Sequence, residues 1–338
     1  MFAEPQTTTM PLKCGVLGCS DIASRRTLPA MAASPLVDIT AIASRDEGKA
    51  ADLAARFGSE PVTGYERLLA RPDVEAVYIS LPPVCHAEWI ERALRAGKHV
   101  LAEKPMTATA ELTESRVALA ESLGLALLEN FMFLCHSQHR TVRGLVADGA
   151  IGELRTVIAE YAFPGKSPDN WRYQPGLGGG SLLDVGGYPI RTALTYLGDA
   201  LDVAGATLRY DPKHGVDVSG SALLCTADGK TAHVLFGMDR SYKCGYQLWG
   251  SEGRIVVEWA YTPTAAHRPV VRVERQDAVQ VLTLPADDHF VGVLTAFVNR
   301  VRHGVNTELE GKPVVRQAAL VDRVRMAAVR RPLTGRPG

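Results

Sequence analysis

The run HVLAEKPMT, residues 99–107, sets Glu103 and Lys104 directly before Pro105. Proline has no N–H to give to a sheet ladder, so a strand ends there, and Lys104 is pushed into an extended backbone. Open parallel sheets bind ligands at the carboxyl ends of their strands. A lysine held at such an end offers a proton and a positive charge to an oxygen that turns anionic during reaction. Glu103 is placed to orient that amine or balance its charge. A second stretch, GGGSLLDVGGYPI at residues 178–190, opens with three glycines that let backbone approach a ligand closely. Asp184 and Tyr188 follow four residues apart and share one face of a helix. Pro189 is expected to bend that helix, because its ring opposes the carbonyl of Val185. A phenol such as Tyr188 is a second candidate proton donor.

A third stretch, GVLGCSDIA, carries a glycine turn. Gly18-Cys19-Ser20-Asp21-Ile22-Ala23 follows the pattern G-x-G-x-x-G/A, in which a helix N-terminus faces a pyrophosphate. Its first glycine is kept, alanine stands third, and Ser20 replaces the second glycine. That side chain limits backbone approach, although its hydroxyl could bond a phosphate oxygen instead. A tight β–α turn with no ligand is the competing reading. The end of the second strand argues against it. Where an NAD site carries Asp or Glu for the ribose, this chain has Ser44-Arg45. A guanidinium fork suits a 2′-phosphate and Ser44 adds a donor, so NADP is expected over NAD. Asp46 reads as a helix N-cap rather than a ribose ligand.

Elements must hold these groups in place. Residues 13–130 alternate strand and helix signals: KCGVLG, DIASRRTLPAMAAS with Asp21 at its start, VDITAIAS, GKAADLAARFG, YERLLARPD, AVYISLP, HAEWIERALRAG, HVLAEK, ATAELTESRVALAESLG and LALLENF. Strands apolar on both faces, separated by helices, predict a parallel sheet covered by helices. After residue 131 the chain turns to successive strands: VIAEYAF, LDVAGATLRY, SALLCTADGKTAHVLFGM, YQLWGSEGRIVVEW, PVVRVERQ and VQVLTLP, with DG and EG turns. Helices are expected at 137–149, 181–197, 288–303 and near 314–330. The reading is therefore α/β, with a doubly wound nucleotide-type unit at 11–130 and an α+β unit at 131–338 built on an open, mostly antiparallel sheet.

Bulk composition narrows the partners. Lys plus Arg and Asp plus Glu both number 37 in 338 residues, so no charge excess points to nucleic acid or an anionic membrane. No run of about 18 apolar residues spans a membrane. MFAEPQTTTM lacks the features of a signal peptide and is expected to be a loose tail. The six cysteines are scattered without zinc spacing, which reads as reduced, mostly buried thiols in a cytoplasmic protein without a structural metal.

GCSDIA, ISLPPVCHAEWIERALRAGKHVLAEKP and GGGSLLDVGGYPI together resemble the glucose–fructose oxidoreductase/inositol dehydrogenase family across nearly the whole chain. CSDIASRRTLPAM, ENFMFLCHSQHR and YTP are similar to the sugar 3-ketoreductases of deoxysugar antibiotic pathways within it. That resemblance implies reduction of the C-3 ketone of a dTDP-linked 3,4-diketo-2,6-dideoxyhexose by NADPH. It places Lys104 beside the nicotinamide and gives the proton to Lys104 or Tyr188; the family often has histidine where Tyr188 stands. It puts Asp184 against the nicotinamide ribose or substrate, Leu81 and His86 against the cofactor, Tyr65 near the adenosine and Arg172 near a phosphate or the cofactor. Arg26, Tyr242 and Thr262 become the candidates for holding the nucleotide of the sugar. Trp249, Trp259 and Tyr261 read as sheet core or a subunit interface, in keeping with a homo-oligomer. Two other readings stay open: a dehydrogenase of free sugars, inositols or dihydrodiols, and a non-catalytic NADP-sensing regulator.

Overall fold

A computed structural model describes residues 10–333; the first nine residues of the expected N-terminal tail lie outside that range. Strands β1 (Leu12–Leu17), β2 (Val37–Ser44), β3 (Glu60–Thr63), β4 (Ala76–Ile79), β5 (His99–Glu103) and β6 (Leu127–Asn130) form one parallel sheet in the order β3-β2-β1-β4-β5-β6. Chain direction across the sheet reverses between β1 and β4, the crevice where doubly wound sheets bind dinucleotides. β4 and β6 are buried at every residue, which is why their sequences show no polar alternation. The strand β3 has no apolar run to announce it. Its four residues EPVT bury only Val62, and Pro61 is tolerated because the strand lies at the sheet edge.

The helix after β1 runs from Asp21 to Ala33 with a wide π turn at Ala23–Thr27 and ends as α1 (Leu28–Ala33). Ser20, not Asp21, caps it: Ala23 N–H donates to Ser20 Oγ at 3.2 Å. The cap of α2 (Glu47–Phe57) is Asp46, whose Oδ1 accepts from Lys49 N at 3.0 Å. Three further helices, α3 (Tyr65–Leu69), α4 (Pro83–Arg95) and α5 (Ala110–Leu123), complete this unit.

Past α6 (Ser137–Ala147), a nine-stranded sheet begins with β7 (Leu154–Ala162). Following α7 (Gly187–Leu197) come β8 (Asp202–Asp211), β9 (Val216–Cys225), β10 (Thr231–Gly237), β11 (Lys243–Gly250), β12 (Arg254–Glu258), β13 (Val270–Arg275) and β14 (Ala278–Thr283). Helices α8 (His289–His303) and α9 (Lys312–Ala327) lead to β15 (Ala328–Pro332). All pairs are antiparallel except β7–β10 and β8–β15. The last strand was hidden within the C-terminal helix signal. AVRRP continues straight out of α9 and adds a charged, proline-ended edge. Among the described residues, no helix is long and apolar enough to cross a membrane, and no cluster of three or more His, Cys, Asp or Glu could hold a metal ion. All six cysteines are free. Only Cys14 and Cys244 are buried and the other four are half-buried, which corrects the expectation of mostly buried thiols.

Candidate active site

The carboxyl ends of β1, β2, β4 and β5 open into a cleft of about 750 Å³ that reaches the second sheet. Gly18, Cys19, Ser20, Asp21, Ile22, Ser44, Arg45, Tyr65, Leu81, Glu103, Lys104, Arg172, Asp184, Tyr188 and Thr262 all line it. Gly18 has φ +100°, and a Cβ there would stand 2.4 Å from the Ser80 carbonyl oxygen. Only glycine lets the turn lie that close to the end of β4. Ser20 turns its hydroxyl onto Ser80 Oγ and the helix N-terminus while still lining the cleft. Arg45 and Lys49 stand at one end of the cleft, where the Arg45 charge beside Tyr65 offsets part of the rise that burial gives its phenol. This donor set fits a dinucleotide that carries a 2′-phosphate.

Lys104 follows β5, and the Lys104–Pro105 peptide is cis. Its ammonium donates to the Asp184 carbonyl at 2.6 Å and to Asp184 Oδ1 at 3.0 Å. Arg172 Nε donates to Asp184 Oδ2 at 2.5 Å. Burial works to raise the Asp184 carboxyl, but Lys104 and Arg172 overcome it and hold the group down to about 2. A wide π turn at Leu182–Gly186 carries Asp184 and passes directly into α7. This is the predicted distortion near Pro189: a wider turn relieves the clash that a proline ring brings to the preceding helical turn.

Tyr188 is 3% exposed, its ring packed against Phe131, Phe133, Tyr161 and Tyr261, with Lys104 Nζ 5.2 Å from its centroid. Burial drives the phenol well above its ordinary pKa. It therefore stays protonated at neutral pH, as a proton donor must.

Several expectations change. Glu103 does not contact the Lys104 amine. Neighbouring strand residues point to opposite faces, so Glu103 Oε1 instead accepts from Tyr78 Oη and Asn130 Nδ2, both at 2.6 Å. His86 does not line the cleft. It is buried, its ring nitrogens each 2.8 Å from the carbonyl oxygens of Pro105 and Leu81, and so it ties together the two loops that carry Lys104 and Leu81. The glycines of GGG do not line it either. A Cβ on Gly179 would meet the Arg172 carbonyl at 2.5 Å, so its bareness serves to seat the Arg172 loop rather than a ligand. Arg26 is exposed outside the cleft, whereas Arg25 lines it. Tyr242 is also outside, with its hydroxyl 2.8 Å from Thr262 Oγ1. Of the aromatic stripe, Tyr261 is buried while Trp249 and Trp259 are exposed.

Sequence reading passed over Tyr161, Phe163, Trp171, Met132 and Phe290, which also line the cleft. Trp171 was the visible signal among them, beside Arg172 in NWR. The guanidinium carbon lies 4.7 Å from the Trp171 ring centroid and 5.6 Å from that of Phe163.

Residues 12–131 match the oxidoreductase family with an NAD-binding Rossmann fold, and residues 139–256 match the GFO/IDH/MocA C-terminal domain. The chain belongs to the Gfo/Idh/MocA family. It is 49% identical over 325 residues to the dTDP-3,4-didehydro-2,6-dideoxy-alpha-D-glucose 3-reductase of Actinomadura kijaniata, covering 96% of this chain and 98% of the relative. A protein of the same name from Streptomyces violaceoruber is 49% identical over 337 residues, covering 97% and 98%. The fold superposes with TM-score 0.94 on KijD10, a 3-ketoreductase from Actinomadura kijaniata solved with NADP and TDP-benzene, at 48% identity and covering 96% of this chain and 100% of that one.

Proposed function

We propose that this Gfo/Idh/MocA protein is an NADPH-dependent sugar 3-ketoreductase acting on a dTDP-linked 3,4-diketo-2,6-dideoxyhexose in deoxysugar biosynthesis. The observation that carries the reading is the pairing of Lys104 and Tyr188 at the point where the dinucleotide cleft meets the second sheet. Near-full-length identity to reductases of that name supports it. KijD10 variants have been solved in which a lysine and a tyrosine are replaced, and those two stand as far apart in sequence as Lys104 and Tyr188.

NADPH supplies the hydride to the ketone carbon. Gly18, Ser20, Ser44 and Arg45 seat the dinucleotide, Tyr65 stands beside Arg45, and Thr262 with Arg25 faces the sugar nucleotide. As hydride arrives, the carbonyl π pair moves to oxygen, and Tyr188 gives that oxygen a proton. Lys104, fixed by Asp184, stabilises the developing phenolate and alkoxide. The buried phenol with no hydrogen-bond partner among the described residues favours Tyr188 over the ion-paired Lys104 as the immediate donor. We place the division between the two units at 130/131, the protein in the cytoplasm, and its assembly as a homo-oligomer through the outer sheet face that exposes Leu223, Trp249, Val279 and Val281.

The test is NADPH oxidation with dTDP-3,4-diketo-2,6-dideoxyhexose beside NADH and a panel of free sugars and polyols. Turnover confined to the dTDP-sugar supports the reading. Oxidation of a free polyol with NADP alone replaces the substrate and leaves the cleft's chemistry standing. Biological activity that survives both Lys104→Ala and Tyr188→Phe favours a regulator.

A further inference from the structure

A second, small cavity of about 20 Å³ lies behind the catalytic lysine, room enough for one water molecule. Lys104 and Asp184 are the two residues that line both this cavity and the cleft, so they form the wall between them. The cavity is walled mostly by apolar side chains, with a few polar groups set among them. Glu129, 2% exposed at the carboxyl end of β6, has one oxygen occupied by the Met106 N–H at 2.8 Å. Its other oxygen takes no hydrogen bond from the described residues. Gln317 of α9, 5% exposed, has a buried Oε1 without a partner. From there the lining passes to half-buried Thr109 and Asp322 at the α5–α9 seam.

We propose that this cavity holds a water through which Glu129 returns a proton to Lys104 and Tyr188 after each reduction. The inference rests on the reductase reading. Each turnover moves one proton from Tyr188 to the substrate oxygen, where a new O–H bond forms as the carbonyl π bond breaks. The phenolate then recovers a proton from the Lys104 ammonium. The neutral amine takes one through the cavity water from the Glu129 carboxylic acid, and Glu129 is refilled from solvent at the α5–α9 seam. One solvent proton is consumed per ketone reduced, which balances hydride addition. With cofactor and sugar bound in the cleft, this rear route would leave Lys104 a second path to solvent. Burial raises the Glu129 carboxyl above its ordinary range. Opposing this are the Met106 N–H, Arg191 of α7 and Lys104, while Glu103 of β5 adds to it; Asp322 of α9 also lines the cavity.

The experiment compares single-turnover with steady-state reduction of dTDP-3,4-diketo-2,6-dideoxyhexose for the wild type, Glu129→Gln and Gln317→Leu. The first turnover uses the proton already on Tyr188 and should be within about twofold of wild type in both variants. Steady-state turnover should fall about tenfold or more, within the range that proton transfer contributes, and recover when imidazole is added. Ligand-free wild type should also show a carboxylic-acid infrared band at neutral pH that Glu129→Gln lacks. Equal loss in first and later turnovers, no loss in either, or no such band overturns the relay. Wild type that fails even the first turnover overturns the reductase reading and the relay with it.

Discussion

The ammonium of Lys104 lies 2.6 Å from the backbone carbonyl of Asp184 and 3.0 Å from its Oδ1, so the turn leading into α7 holds the residue that follows β5. Arg172 grips the other Asp184 oxygen at 2.5 Å. One buried carboxylate thus holds Lys104 over the Tyr188 ring and Arg172 over the rings of Trp171 and Phe163.

Replacing Asp184 by Asn leaves Lys104 and Arg172 facing each other without their counter-charge. Breaking one side of a buried ion pair costs about 3 kcal/mol. The expected result is a lower urea midpoint, with turnover reduced at least about tenfold. The depressed Asp184 group contributes its stability above the unfolded carboxyl's range near 4, and that contribution is lost as pH falls from there through about 2. Asp184→Asn should flatten acid unfolding in that window.

Arg45→Ala should lower kcat/KM for NADPH about thirtyfold or more, since losing a charged contact to a phosphate costs about 2 kcal/mol or more. NADH should be nearly unaffected. Tyr65→Phe removes the hydroxyl that lies beside Arg45 and should shift the NADPH/NADH ratio the same way by a smaller factor. Steady-state kinetics with both cofactors reads this directly. Equal losses for the two would place Arg45 outside the 2′-phosphate site.

Gly18→Ala should cost about 1–3 kcal/mol, because it adds a clash with the Ser80 carbonyl at a backbone conformation that only glycine adopts freely. A thermal melt with and without NADPH separates its two effects. The apo Tm should fall, and the stabilisation by NADPH should shrink further.

His139 and His289 are each driven down to about 3 by burial. The His139 ring is satisfied while neutral, its Nδ1 2.9 Å from Tyr246 Oη and its Nε2 3.0 Å from the Ala260 carbonyl. The unfolded chain binds protons on both residues near 6.5, whereas the folded chain does not. Stability is therefore full above that pH and falls below it by about 1.4 kcal/mol per pH unit for each histidine. Urea titrations from pH 7.5 to pH 5 should show stability falling toward acid, and His139→Gln should make that decline shallower by about 1.4 kcal/mol per pH unit. A flat profile would mean that these histidines are already protonated in the folded state.

The sequence by itself determined the strand–helix rhythm of the first unit, the glycine turn and the Ser44-Arg45 pair. It also determined that Lys104 ends a strand, that Asp46 caps α2 and that Asp184 and Tyr188 share a face. Each of these is written in local periodicity, in proline's missing N–H or in glycine's freedom, and acts over a few residues. Edge strands such as β3 and β15 stayed hidden because an edge needs neither a long apolar run nor a full ladder. Only the tertiary structure decided what long separations bring together. Asp184 rather than neighbouring Glu103 holds Lys104, because alternation along β5 sends Glu103 toward Tyr78 and Asn130. Met132, Phe163 and Phe290 join the cleft from three distant segments, and Glu129 comes to lie behind Lys104 through the packing of β5, β6 and α9. Contacts of this kind depend on how whole elements pack, and no local pattern of residue types encodes them.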